Sequence, residues 1–257
     1  MLGFRIMICY ATVKPIASIW RAFSVLLLLN LTAQIEALSS VTKFEWKPYY
    51  ETATGFGADY MIDPKRKGLQ SLGEAGVYGE ILPSSIKDII DEMNLSFTPS
   101  DRMYDLGSGI GKVVTQFAYE TACGHCTGIE LGERRHKEGT EVLQSLKIHD
   151  ISGTCNKISL VKGDCLRVPW GDATVLFINA FCFPKELWGA VEAAIRTQTP
   201  NLRYLFLFGS LMGDGKEDKT FPYHLYHLAC PSSWSDETLC HLYVSDRELI
   251  SIEPTVK

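Results

Sequence analysis

Apolar positions between residues 83 and 95 recur at helical spacing. In "PSSIKDIIDEMNL" Ile86, Ile89, Ile90 and Met93 fall at i, i+3, i+4 and i+7, which describes one buried stripe of a helix. Ser84 or Ser85 is the expected capping hydroxyl, and Pro99 and Ser100 end the segment. After it the pattern alternates. Short β-rich runs at Met103–Leu106, Thr127–Glu130, Ile158–Lys162, Val175–Ile178 and Leu202–Phe208 are separated by helix-like stretches at Val113–Ala122, Glu133–Leu146 and Lys185–Thr197. Such alternation predicts an α/β fold, a parallel sheet covered on both faces. The tail changes mode. Tyr223–Leu228 and Leu239–Val244 alternate at period two around the turn-rich "CPSSWSDE", so an antiparallel hairpin is expected at the sheet edge, for seven strands in all.

The stretch before the first helix reads differently. Residues 41–83 hold Phe44, Trp46, Tyr49, Tyr50, Phe56 and Tyr60, interrupted by glycines, Pro48 and Pro64. Residues 1–40 are different again: Arg5, Lys14 and Arg21 precede the apolar run "AFSVLLLLNLTA", Ala22–Ala33. Twelve residues make a helix of roughly 18 Å, short of a bilayer core of about 30 Å. A basic flank, a short apolar run and small residues near Ala33 and Ala37 fit a signal-like targeting segment. Membrane association through residues 22–33 is the alternative use of the same run. The expected organisation is a targeting segment over 1–40, a helical and loop region over 41–98, and the main domain over 99–257.

Charge narrows the partners. The whole chain carries a net −5, and residues 1–40 hold three basic residues and one acid, so the remainder stands at −7. A body this acidic has no general attraction for DNA. Eight cysteines would permit disulfides in an oxidising compartment. "CGHC", Cys123–Cys126, spells a redox motif, but that chemistry needs a helix to begin at the first cysteine, and here a strand comes next. His224, His227, Cys230, Cys240 and His241 match no strong zinc spacing, so no metal is expected.

The chemistry sits in "YDLGSGIGKVV", Tyr104–Val114. A phosphate loop needs four residues between its glycines and a hydroxyl after the lysine; Gly107 and Gly111 are separated by three, and Val113 follows Lys112. The dinucleotide fingerprint G-x-G-x-x-G is also missed, and Asp105 would repel a pyrophosphate. An acid there suits a ligand bearing an ammonium group, as S-adenosylmethionine does. Glu130, at the end of the second strand, can accept both ribose hydroxyls. Asp164 ends the third strand in "VKGDCL", placed to accept from an adenine amino group, and Asn179 ends the fourth in "VLFINAFCF". All four lie at C-terminal strand ends, where open α/β sheets bind ligands. With its terminal hairpin, the expected fold is the Rossmann-like one of class I methyltransferases.

"YGEILPSSIKDIIDEM", "YDLGSGIGKVVTQFA", "TGIE" and "VLFINAFCF" together resemble, in this order, the core motifs of the disruptor-of-telomeric-silencing family, the non-SET histone-lysine methyltransferases of the H3 lysine-79 type. The likeness spans Tyr78 to Phe183 well, and "YGE" ahead of "DLGSGxG" is its most specific part. It implies an S-adenosylmethionine-dependent protein-lysine N-methyltransferase that acts on histone H3 within nucleosomes, hence in the nucleus. Tyr78, Gly79 and Glu80 would close over the methionine end of the cofactor. Asp105, Gly107, Ser108, Gly109 and Gly111 would hold that end, Glu130 the ribose, and Asp164 with Cys165 the adenine. Asn179, Phe181, Phe183 and Tyr78 would line the passage to the substrate lysine. The family's motif at Asn179 has a second Asn where this chain has Ala180, and an aromatic residue where it has Cys165. Trp234 and Tyr243 are loose counterparts of the lysine-channel aromatics, with His241 between. Family members that engage nucleosomes also carry a lysine-rich segment beside the catalytic domain, which residues 41–257 lack. Two further readings stay open. One is a methyltransferase for another protein or small molecule in a membrane-bounded compartment such as the secretory pathway; the other is a non-catalytic S-adenosylmethionine-binding module.

Overall fold

The computed structural model describes residues 44–53, 55, 79–215 and 221–249. The expected targeting segment and Tyr78 lie outside them. The chain divides into two compact units, Met1–Glu45 and Trp46–Lys257, and the sheet belongs to the second. Among the described residues no helix is long and apolar enough to cross a membrane.

Seven strands form one sheet: β1 (Arg102–Leu106), β2 (His125–Glu130), β3 (Ile158–Lys162), β4 (Val175–Asn179), β5 (Tyr204–Phe208), β6 (Tyr223–Cys230) and β7 (Thr238–Ser245). Their order is β3-β2-β1-β4-β5-β7-β6. β1 to β5 run parallel, and β7 inserts antiparallel between β5 and β6. This is the Rossmann-like arrangement expected of class I methyltransferases. The order reverses between β1 and β4, which opens a crevice at the carboxyl ends of these strands.

Four α-helices among the described residues cover the sheet: α1 (Pro83–Glu92), α2 (Lys112–Glu120), α3 (Glu133–His149) and α4 (Lys185–Gln198). The strands alternate between two cores. Tyr204, Phe206 and Phe208 of β5 face a cluster built with Ile86 and Ile89 of α1, Val114 and Phe117 of α2 and Leu143 of α3. Leu205 and Leu207 face the other side, against Trp188, Val191 and Ile195 of α4. Phe117 is the hub of the first cluster, edge-on to Phe97 at 5.7 Å and to Phe206 at 5.7 Å. Burying a ring of this size contributes about 1.5–3 kcal/mol.

Where the sequence pattern is strong the elements appear, with ends shifted by at most three residues. One expectation is corrected. Neither Ser84 nor Ser85 caps α1: Leu82 is the N-cap, without a side-chain bond, and Pro83 opens the helix, its fixed φ suiting the first turn. The buried Ser85 hydroxyl instead donates to the Pro231 carbonyl at 2.6 Å, tying α1 to the β6–β7 connection.

At the opposite end of the sheet, the Arg203 guanidinium donates to Asp101 Oδ2 at 2.6 Å and to both Glu248 oxygens at 2.9 and 2.7 Å. Burial alone would raise the Asp101 carboxyl, but hydrogen bonds from Arg203, Thr174 and Thr98 outweigh it and hold it below its ordinary 3.8. The same guanidinium holds Glu248 below its ordinary 4.5. Depressed carboxylates contribute stability that is complete above their unfolded values and is lost as pH falls through the folded ones.

Two outcomes are expected in urea unfolding. Phe117→Ala should cost about 3–5 kcal/mol. Arg203→Met should flatten the acid limb of the stability profile below about pH 4.5, whereas an unchanged acid limb would mean the triad does not set it.

Candidate functional site

The backbone leaving β1 turns at once. Gly107, Gly109 and Gly111 have φ of +90°, +57° and +85°, left-handed values that cost a side-chain-bearing residue about 1–2 kcal/mol each. The turn is pinned to β2, since the Gly107 and Ser108 N–H groups both donate to the Ile129 carbonyl, at 2.9 and 3.1 Å. Its apex is held by a buried carboxylate. Glu130 Oε2 accepts from the Gly109 N–H at 2.9 Å and Oε1 from the Gly132 N–H at 2.6 Å.

Asp105, on β1 just before the turn, is buried as well. Burial, with the charge of Glu130 added, pushes the Asp105 carboxyl well above its ordinary value. Burial raises Glu130 too, against the Gly132 N–H, the Arg135 charge and the Gly109 N–H, which oppose it. Two neighbouring carboxylates in low dielectric favour any cation that can reach them.

In front of the turn lies a cleft of about 380 Å³, its open mouth included, lined by Glu80, Asp105, Gly107, Ser108, Lys112 and Asn179 among others. Lys112, the first residue of α2, pairs with Glu80 Oε2 at 2.7 Å. Asn179, at the end of β4, donates through Nδ2 to the Gly79 carbonyl at 3.3 Å. Its Oδ1 is buried without a hydrogen-bond partner among the described residues. An unmatched buried acceptor costs about 1–3 kcal/mol and is conspicuous in a cleft wall.

The covering strand is anchored from the hairpin. The Glu80 N–H donates to Ser233 Oγ at 3.0 Å, and the Ser233 N–H donates to the Glu80 carbonyl at 2.9 Å. Gly79 lies so close under Trp234 that a Cβ would come within 2.5 Å of the indole. Trp234 in turn meets Phe181 edge-on at 5.5 Å, and both rings are about half exposed. Phe183 packs behind, against Gly107.

The structure therefore gathers Glu80, Asp105, Gly107, Ser108 and Asn179 around one cleft, with Gly109 and Glu130 directly behind it and Gly111 capping α2. Asp164 and Cys165 stand apart at the end of β3. Asp164 Oδ1 accepts from the Leu166 N–H at 2.9 Å, and Oδ2 pairs with Arg167 at 3.6 Å. The Cys165 carbonyl accepts from the Trp170 indole at 2.6 Å, and burial pushes its thiol up to about 12. Tyr243 is buried away from the mouth, its hydroxyl accepting from the Met212 N–H at 3.0 Å. His241 meets His227 across the hairpin, Nδ1 to Nδ1 at 2.9 Å.

Sequence reasoning passes over three groups. Lys112 enters it only as a mismatch to a phosphate loop. Tyr50 braces the turn from behind, its hydroxyl donating to the Gly111 carbonyl at 3.3 Å and lying 2.7 Å from Thr115 Oγ1. Trp46 donates to Glu120 at 3.2 Å on the same helix. The density of aromatics over 41–83 is the available signal for the last two.

The family model described as "Histone methylation protein DOT1" matches residues 60–203, more than half of the chain. Among curated relatives, the H3 lysine-79 specific histone-lysine N-methyltransferase of Caenorhabditis elegans is 33% identical over 117 residues, 43% of this chain and 12% of that protein. The enzyme of the same name from Eremothecium gossypii is 29% identical over 140 residues, 51% of this chain and 24% of that one. The chain thus spans a quarter or less of these relatives' length. Among solved structures, a magnesium protoporphyrin IX methyltransferase from Synechocystis overlaps 80% of this chain and all of its own, with 13% identity and a TM-score of 0.46.

The turn's strain gives a direct check by urea unfolding. Gly107→Ala, at φ +90° with its Cβ in ordinary contact with Phe183, should lose about 1–2 kcal/mol. Gly189→Ala in α4, where a Cβ meets nothing within 4 Å, should be neutral or gain about 0.5–1 kcal/mol.

Proposed function

The chain belongs to the histone methylation protein DOT1 family, and we propose that it is an S-adenosylmethionine-dependent protein-lysine N-methyltransferase whose substrate is a core lysine of histone H3. The observation that carries this reading is the buried Asp105–Glu130 pair at a cleft whose wall presents Asn179 Oδ1, unmatched among the described residues.

The residues present fit the cofactor. Asp105 offers its ammonium a charged partner, and the turn at Gly107, Ser108 and Gly109 lets backbone approach it closely. Glu130 would take the ribose: each of its oxygens already accepts one N–H, and a carboxylate oxygen has a second acceptor direction. Asp164 would meet the adenine, with Cys165 at its face and Gly111 closing the turn. Glu80 belongs to the segment that covers the site, and Tyr78 would act with it. When bound, the cofactor supplies an activated methyl group on sulfur, together with its own leaving group.

What the protein adds is position and dryness. Asn179 Oδ1 can accept an N–H from the incoming amine and aim its lone pair inward. The amine must arrive uncharged. Phe181 and Trp234, the indole packed over Gly79, with Phe183 against Gly107, would disfavour the ammonium by desolvation. Ala180 is buried under the same corner, so an apolar residue there leaves no second amide to satisfy.

Full-length protein with radiolabelled S-adenosylmethionine should label H3 in recombinant nucleosomes, and Asn179→Ala should lower turnover about a hundredfold while the cofactor Kd moves less than about threefold. Labelling of other proteins with histones left unlabelled would redirect the reading to the non-histone alternative. Cofactor affinity should rise with pH through the titration of Asp105, because the ammonium binds the charged carboxylate. Asp105→Asn should weaken binding and flatten that dependence.

A further inference from the structure

Lys112 and Glu80 both line the cleft. Their ion pair is 2.7 Å long, and their side chains are only 22% and 17% exposed. Asp105 lines the same cleft. A ligand that ends in an amino acid presents two charges: its ammonium suits Asp105, and its carboxylate needs a cation. Among the described lining residues Lys112 is that cation. It stands at the start of α2, where unpaired N–H groups and the helix dipole already favour an anion.

In this structure Glu80 holds that place. Its backbone is secured independently, by the two hydrogen bonds to Ser233 and by Gly79 beneath Trp234. The carboxylate can therefore leave Lys112 without unseating the strand. A partly exposed pair is worth little net, so replacing one carboxylate by another costs little.

On the reading that the cleft takes S-adenosylmethionine, we infer that Glu80 is a built-in surrogate for the ligand's carboxylate, and that Lys112 exchanges Glu80 for it on binding. Exchange differs in sign from a simple latch. If the pair only held the covering strand shut, removing the Glu80 charge would weaken binding. If Glu80 competes for Lys112, removing it strengthens binding.

The test is calorimetry on the full chain with two ligands, S-adenosylmethionine and 5′-methylthioadenosine, which lacks the amino-acid end. Exchange requires Glu80→Gln to tighten S-adenosylmethionine about threefold and Lys112→Gln to weaken it about tenfold. The double variant should match Lys112→Gln, and none of the three should alter 5′-methylthioadenosine binding. Weaker or unchanged S-adenosylmethionine binding in Glu80→Gln overturns the exchange, as does an equal shift for both ligands. Wild-type protein that binds neither ligand overturns the cofactor reading itself and the exchange with it.

Discussion

The site depends on one buried carboxylate. Glu130 receives the Gly109 N–H on one oxygen and the Gly132 N–H on the other, and so locks the turn after β1 to the turn after β2. Neither turn is stable by propensity. The first carries three residues at positive φ, and the second opens a long helix without a side-chain cap. A charged acceptor inside the protein makes stronger hydrogen bonds than a neutral one, and here it meets two backbone donors that would otherwise be buried unpaired. The cost is its own desolvation, which is why its carboxyl stands above the ordinary range.

That arrangement determines the electrostatics in front of it. With Glu130 fixed, Asp105 is forced to share a low-dielectric space with a second acid. The protein brings Arg135 near Glu130 but leaves the Asp105 side of the cleft acidic. A ligand with a positive charge at that point would relieve a repulsion already present in the fold, and part of its binding energy would come from that relief. On the proposed reading the aromatic pair Phe181 and Trp234 works in the opposite sense. It would disfavour charge on an arriving amine, so the two ends of the site would select opposite ionisation states of nitrogen.

Much of this is legible in the sequence because strand–helix alternation and strand-end acids are local patterns. Asp105, Glu130, Asp164 and Asn179 can be placed at strand ends from periodicity alone, and the terminal hairpin from period-two alternation around a turn-rich linker. What escapes is non-local. The Lys112–Glu80 pair joins residues 32 apart, and Tyr50 reaches Gly111 across 61. The missing cap of α1 is of the same kind: Ser85 is drawn to Pro231, 146 residues away, in preference to its own helix end. Asp164 shows the converse, a polar strand-end residue whose first partner is the backbone two positions on.

Whether the strand-end cleft holds the amino-acid end of S-adenosylmethionine against Asp105 is tested most directly by a crystal structure with the demethylated product, S-adenosylhomocysteine. The product's amino nitrogen should lie within hydrogen-bond distance of the Asp105 carboxylate, about 2.7–3.2 Å, with the glycine turn beneath. Product bound elsewhere, or in the cleft with its amino group turned away from Asp105, would contradict that placement.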